Sequence, residues 1–426
     1  MLKRILITFL AIILIFIVLL YWSVSSTNET YARSIVLQPN ISNTQNLEDY
    51  DSVLVKASPL YRANPIKHLV QGKQYRKAWA SPVSAKVLIL DTLAGGVEII
   101  KEGGGNQTHS LKLMDSSKIE YTLRSVNKDP EPLIPDIAKQ LSLDNLIIDG
   151  ISAQHPYGAL MVAELADQAG VIHTYPKLVY LPRQKFLKKY NEAYGNRLYL
   201  LEYETESKTN WTKLDNIIEI IDTDDLQELK LKLGEKLVID KRQVIRSRLF
   251  DLLIGDWDRH TKQFGWAIQK TNDSLTAIVV SGDRDNAFYN NGGIVPSILS
   301  SRYILPRVRP FEKDIDFFEG LVYPFDRYFL LGTDLDLFTS EARILQKLLT
   351  DESIDRALKS WPVQISNLDG DSIKEKLKSR RQNLVTYAKQ FKDEIDRQGS
   401  LDQSLKGSED KDFPAELMTC FECANN

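Results

Sequence analysis

Two short stretches concentrate the residues able to do chemistry. GDWDRHTKQFGW carries Asp256, Asp258, Arg259, His260 and Gln263, and SGDRDNAF carries Asp283 and Asp285. A divalent cation such as Mg²⁺ or Mn²⁺ takes carboxylate and amide oxygens and shares its shell with the oxygens of a polyphosphate. Two acidic turns, distant in the chain, can converge on such a cation. The expected roles are Asp258 as base or orienting carboxylate, Gln263 as an oxygen ligand, Asp285 as the main metal ligand and Asp283 as its helper. His260 reads as a loop-stabilising residue, and Asp256 and Arg259 read as residues that fix the loop.

Elements on both sides must position these turns. Before the first, Ile245, Leu249, Leu252 and Leu253 follow the spacing of a buried helical stripe that ends at Gly255. Between the two, FGWAIQ and LTAIVV predict short strands. Upstream, AKVLILDTL, GGVEIIKE, THSLKLMD and IEYTLRSV are alternating runs that predict a β-meander over residues 85–130. Its GGGNQ turn holds Gly103, Gly104 and Gly105. Glycines there allow positive φ and let backbone N–H groups approach an anion, although an isolated glycine run is ordinarily a plain hairpin. The next strand carries Arg124. PYGALMVAELADQAG predicts a helix over 156–170, opened near Pro156 and stopped at Gly170. Within it, Glu164 either faces solvent or needs a cationic partner. NRLYLLEYE reads as an edge strand feeding the second half. From about 310 to 397 the pattern is mostly helical, with EARILQKLL and SIKEKLKSRRQNLVTYAKQF the clearest runs.

The N-terminus carries a different signal. Residues 5–22 are uncharged and almost wholly apolar, close to the roughly 20 residues that cross a bilayer. Lys3 and Arg4 precede them, which sets the N-terminus in the cytoplasm and the remainder outside. A cleaved signal peptide is the alternative, with a poor small-residue site at Ser23, Ser25 and Ser26. The net charge of -3 over 426 residues, without a dense basic patch, gives no sign of nucleic-acid binding. The only two cysteines, Cys420 and Cys423, suit a local disulfide in an oxidising compartment; they are half of a zinc site at most.

The acidic stretches also carry a resemblance. GDWDRHTKQFGW is similar to the D-R-H loop of the atypical secretory-pathway kinases of the Golgi casein kinase type. It is similar as well to that of the spore-coat CotH kinases and, more distantly, the HipA-type kinases. DRDNAF resembles their metal motif, and AELADQAG resembles their helix with a paired glutamate. Exported bacterial proteins with stretches like HPYGA, IHTYPKL, NRLYLLE and LFDLLIGDWDRH look closer still. The resemblance covers residues 85–300. It implies an α+β, two-lobed protein-kinase-like fold, with a β-rich N-lobe and a helical C-lobe. It also implies ATP as phosphate donor with Mg²⁺ or Mn²⁺, work outside the cytoplasm, GGGNQ lying over the phosphates, Arg124 gripping them, and Glu164 orienting Arg124. Gln263 stands where Asn or Glu is usual and Arg124 where Lys is usual; Arg is a phosphate fork, not a point charge.

The expected organisation is an anchor at 1–23, a spacer at 24–79, a β-rich lobe at 80–205, a helical lobe at 206–400 and a polar tail at 401–426. The leading functional reading is a membrane-anchored phosphotransferase acting on a protein or glycan acceptor. A nucleotide- and metal-binding module without turnover, or a metal-dependent hydrolase on the same loops, are the competing classes.

Overall fold

The computed structural model describes residues 1–25, 33–37, 47, 50–104 and 107–422. Its β-rich part is an eight-stranded sheet. The strands are β1 (Ile35–Val36), β2 (Ser52–Lys56), β3 (Pro82–Val87), β4 (Val97–Gly103), β5 (Thr108–Asp115), β6 (Glu120–Lys128), β7 (Lys177–Leu181) and β8 (Arg197–Tyr203). Their order is β1-β2-β3-β7-β8-β6-β5-β4, antiparallel except where β3 meets β7. Of the four runs expected to form a meander, the first, β3, pairs instead with β2 and β7, whereas the other three form the meander β4-β5-β6. The period-two pattern explains its two faces: Leu111, Leu113 and Leu123 point into a core shared with Tyr199, whereas Lys112, Thr122 and Arg124 point the other way, into a cleft.

β8 is not an edge strand. It pairs with β6 on one side and β7 on the other. Its run Leu198–Tyr199–Leu200 is buried, as an interior strand requires.

A second, four-stranded sheet comprises β9 (Ile217–Ile221), β10 (Leu237–Ile239), β11 (Phe264–Thr271) and β12 (Ser274–Ser281), in the order β10-β12-β11-β9. The two acidic stretches leave the ends of its neighbours: one precedes β11, the other follows β12. Because β11 and β12 pair antiparallel with Phe264 opposite Ser281, both stretches emerge at the same end of the hairpin. The remainder is helical, chiefly Lys241–Ile254, Leu335–Leu348 and Asp371–Gln398. Helix Lys241–Ile254 is capped by the Asp240 side chain, which accepts from the Gln243 N–H at 3.1 Å. It ends at Gly255 with φ +69°, where a Cβ would lie 2.6 Å from the Phe311 ring. A side chain there would be both strained and crowded.

Two expected boundaries are corrected. Residues 50–79 are not a spacer: Val53, Val55, Tyr61, Tyr75 and Trp79 are buried in the main core. Lys67 and Arg76, both buried, share the Asp149 carboxylate, at 3.0 Å and 2.6 Å. The described part of 401–426 is likewise packed, through Leu401, Leu405, Phe413, Leu417 and Phe421. Polar composition hid the few apolar residues that do the anchoring. Cys420 is disulfide-bonded, and Cys423 lies outside the described residues.

Helix Leu2–Val24 is long and apolar enough to cross a membrane, with a mean hydropathy of 3.0 and its apolar stretch unburied by the rest of the chain. Its C-terminal end meets the body. Tyr21 OH donates to the Leu141 carbonyl at 2.9 Å, and Gln71 Nε2 donates to Ser23 Oγ at 2.8 Å. Gln71 ends helix Pro65–Gln71, which also packs on helix Ile294–Leu299. The turns flanking those two helices touch backbone to backbone. A Cβ on Gly72 would lie 1.7 Å from the Gly292 oxygen, and one on Gly293 would lie 2.3 Å from the Gly72 nitrogen.

Candidate active site

The cleft between the large sheet and the helical part has a volume of about 840 Å³. Gly103, Gly104, Arg124, Asp258, Gln263, Asp283 and Asp285 all line it. The two acidic stretches therefore converge, and they do so beneath the glycine hairpin joining β4 to β5. Gly104 has φ +113°, and a Cβ there would fall 1.9 Å from the Thr108 carbonyl oxygen, so the hairpin demands glycine. Gly105 lies outside the described residues. Tyr203, Glu204, Thr205 and Glu206, which end and follow β8, line the same cleft.

Glu164 does not belong to the site and does not meet Arg124. It is half-buried, accepts from Gln168 Nε2 at 3.2 Å, and borders a shallow surface depression with Lys177 and Trp361. The partner of Arg124 is Glu202 on β8, whose Oε1 accepts from Arg124 Nε at 3.0 Å. Sheet register is the reason: Glu202 stands opposite Thr122, two residues along β6 from Arg124 and on the same face. Arg124 Nη1 also lies 3.0 Å from Asp283 Oδ2. Burial works against its charge, but Asp283, Glu202 and Asp285 outweigh that and hold it more firmly protonated than usual.

A second cation was missed in the sequence because the strand runs farther than its pattern suggested. β6 extends to Lys128, which pairs with Asp285 and donates to Thr108 Oγ1 at 2.9 Å. The even-numbered spacing from Arg124 to Lys128 was the available signal. Lys406, from the C-terminal segment, also lines the cleft.

The two metal-loop carboxylates differ. Both oxygens of Asp285 are engaged, Oδ2 by Lys128 and Oδ1 by Asn286 Nδ2 at 3.0 Å. Asp283 Oδ1 and Gln263 Oε1, by contrast, are buried without a hydrogen-bond partner among the described residues. Two inward-facing oxygens of this kind are costly unless something satisfies them, and hard oxygen donors suit Mg²⁺ or Mn²⁺. The residues present thus fit a divalent cation, with Asp283 better placed than Asp285 to hold it. Asp283 also sits at φ +50°, an uncommon conformation for a residue with a side chain and one that clusters at functional sites. Burial opposes its ionisation, but Arg124, Lys128 and Arg259 keep its carboxyl below the usual range.

Asp258 is half-buried. Burial, then the Asp285 and Asp283 carboxylates, push its carboxyl up to about 6. That is the range of a carboxylate able to take a proton near neutrality. His260 is driven down to about 4, by burial and then by Lys406 and Arg259, so it is neutral at physiological pH.

Beneath the cleft, Arg259 ties the two acidic stretches together. Its Nε donates to Asp251 at 3.0 Å and its Nη1 to the Gly282 carbonyl at 2.8 Å. Asp256 lies buried 3.7 Å from Arg259 Nη1. These two residues hold the loop, as their types suggested.

No protein-family model and no curated protein sequence matches the chain. Among solved structures, the Helicobacter pylori proinflammatory kinase CtkA is similar at 12% identity and a TM-score of 0.36, covering 70% of this chain and 97% of that one. HipA of Shewanella oneidensis MR-1, solved with HipB and operator DNA, is similar at 12% identity and a TM-score of 0.34, covering 68% of this chain and 66% of that one. Likenesses this distant speak for neither an activity nor a substrate.

Proposed function

We propose that this chain is a kinase-like phosphotransferase that moves the γ-phosphoryl group of ATP to a hydroxyl acceptor, a protein or a glycan, on the outer side of the membrane that helix Leu2–Val24 anchors. One observation carries the reading: a single cleft gathers a carboxylate poised near pH 6, two buried unpartnered oxygens fit for a cation, the basic side chains Arg124 and Lys128 and a glycine hairpin. Phosphoryl transfer needs that combination, since it depends on positioning and charge stabilisation. In this reading Asp258 orients the acceptor hydroxyl and takes its proton. Arg124 and Lys128 hold phosphate oxygens, and Glu202 aims the Arg124 guanidinium. The hairpin's backbone covers the phosphates, and the residues after β8 border the base. Gln263 and Asp283 would hold Mg²⁺ or Mn²⁺, which would neutralise charge on the phosphates.

A nucleotide-binding module without turnover is the second reading. The pairing of Arg124 with Asp283, and of Lys128 with Asp285, favours it: basic groups committed to the acidic ones must be released before either can serve a ligand. The full chain, incubated with labelled ATP and Mn²⁺, separates the two. Transfer or autophosphorylation that falls roughly 10²–10⁴-fold in Asp258→Asn, with nucleotide-induced thermal stabilisation retained, supports the enzyme. Stabilisation without transfer in the unmutated chain supports the module.

A pH dependence follows for the enzyme. The base must be ionised, and its ionised fraction grows as pH rises through about 6. The kcat/KM profile is therefore expected to climb on its acid side and level off above that value, with a bound cation shifting the climb lower. A profile that instead falls across this range would exclude Asp258 as the base.

A further inference from the structure

We propose that the segment from Ile294 to Arg309 is a docking surface for an anionic lipid bilayer, so that the cleft works against the membrane that holds the chain. The inference rests on the reading of Leu2–Val24 as a membrane anchor.

Composition is the first observation. From Asn286 to Phe311 there is no acidic residue, while Arg302, Arg307 and Arg309 are present. Arg309 is engaged with Asp316 at 3.2 Å. Arg302 and Arg307 form no ion pair with any described residue; each guanidinium lies instead over a tyrosine ring, of Tyr303 and Tyr323. Basic side chains of that kind, beside an acidic headgroup layer, gain about fivefold in binding each.

Exposure is the second. Ile298 and Ile304 are about half exposed and Tyr303 is 81% exposed. Single exposed apolar residues are ordinary, but a contiguous group marks an interaction surface. Large apolar and aromatic side chains interleaved with arginine are the composition of a membrane-interfacial segment.

Position decides between occupants. Helix Ile294–Leu299 packs on helix Pro65–Gln71, which packs in turn on the end of Leu2–Val24. That end carries Tyr21 and Trp22, residues that favour the headgroup level of a bilayer. Tyr21 is hydrogen-bonded to Leu141, itself exposed. The apolar surface therefore lies beside the point where the anchor leaves the bilayer. The same segment forms one wall of the cleft, through Val295, Leu299, Leu305 and Val308.

The test uses the full chain in lipid nanodiscs. Tyr303→Cys carries an environment-sensitive fluorophore, the native Cys420 being disulfide-bonded. In discs containing phosphatidylglycerol and headgroup nitroxide lipids, the label should be blue-shifted and strongly quenched. Arg302→Glu with Arg307→Glu should remove most of the quenching, and discs of phosphatidylcholine alone should give less. Chain that co-elutes with anionic discs but leaves the label unquenched overturns the docking and spares the anchor. Chain that fails to enter discs overturns both. A label that is blue-shifted in lipid-free detergent only at concentrations where the chain proves dimeric assigns the face to a second copy and also overturns the proposal.

Discussion

Asp251→Ala is expected to destabilise the chain by about 3–5 kcal/mol, the cost of breaking a buried ion pair on one side only. Asp251 is fully buried in the last turn of helix Lys241–Ile254. It accepts from Arg248 at 3.0 Å, Arg259 at 3.0 Å and Arg284 at 2.9 Å. Alanine would leave three buried guanidiniums: Arg248 keeps Asp326 at 2.6 Å and Arg259 keeps Asp256 at 3.7 Å, but Arg284 keeps no ion pair among the described residues. Arg259 is the residue that joins the two acidic stretches, so the cleft should lose its shape before the whole chain unfolds. Urea titration measures the cost, and a value below about 1 kcal/mol would mean that the cluster is not the keystone of this region. The sign of the pH effect is fixed. Burial opposes ionisation of Asp251, but Arg259, Arg284 and Arg248 depress its pKa. Its contribution is therefore complete above the ordinary carboxylate range and is lost as pH falls through the lower folded value. The gap between wild type and variant should close in acid.

Asp283→Asn should weaken cation-dependent nucleotide binding by on the order of 100-fold or more, the upper end of what disturbing a metal's ligand environment costs. Asparagine is the informative choice because it tolerates the left-handed backbone at φ +50°, so the loss reports charge and not strain. Asp285→Asn should cost less, because both of its oxygens already have partners within the protein. Calorimetry with Mn²⁺ and a nonhydrolysable ATP analogue gives the comparison. A larger loss at Asp285 would restore the roles first read from the sequence, where that residue was the main ligand.

The division of roles between Asp283 and Asp285 marks where legibility stopped. The strands were readable because Leu111, Leu113 and Leu123 alternate with polar residues, and the helices because Gly170 and Gly255 punctuate them. Convergence of the acidic stretches followed from the β11–β12 hairpin between them. Pairings across the large sheet were not readable. Whether Arg124 meets Glu164 or Glu202 depends on β8 lying beside β6, an arrangement that local periodicity does not encode. The same limit hid Lys128 and Lys406, whose arrival in the cleft depends on strand length and on the return path of the chain's end. Residues 50–79 were misread for a different reason: their apolar residues are sparse, and two of the groups that hold them, Lys67 and Arg76, are charged and pair inside with Asp149.

The glycine contact between residues 72 and 293 leaves no side-chain cushion between the stem that carries the N-terminal helix and the wall of the cleft. A displacement of one turn therefore meets the backbone of the other directly. On the proposed anchoring, a tilt of the helix would press on the wall of the cleft through this contact, and a methyl group at either glycine would act as a wedge between the two turns.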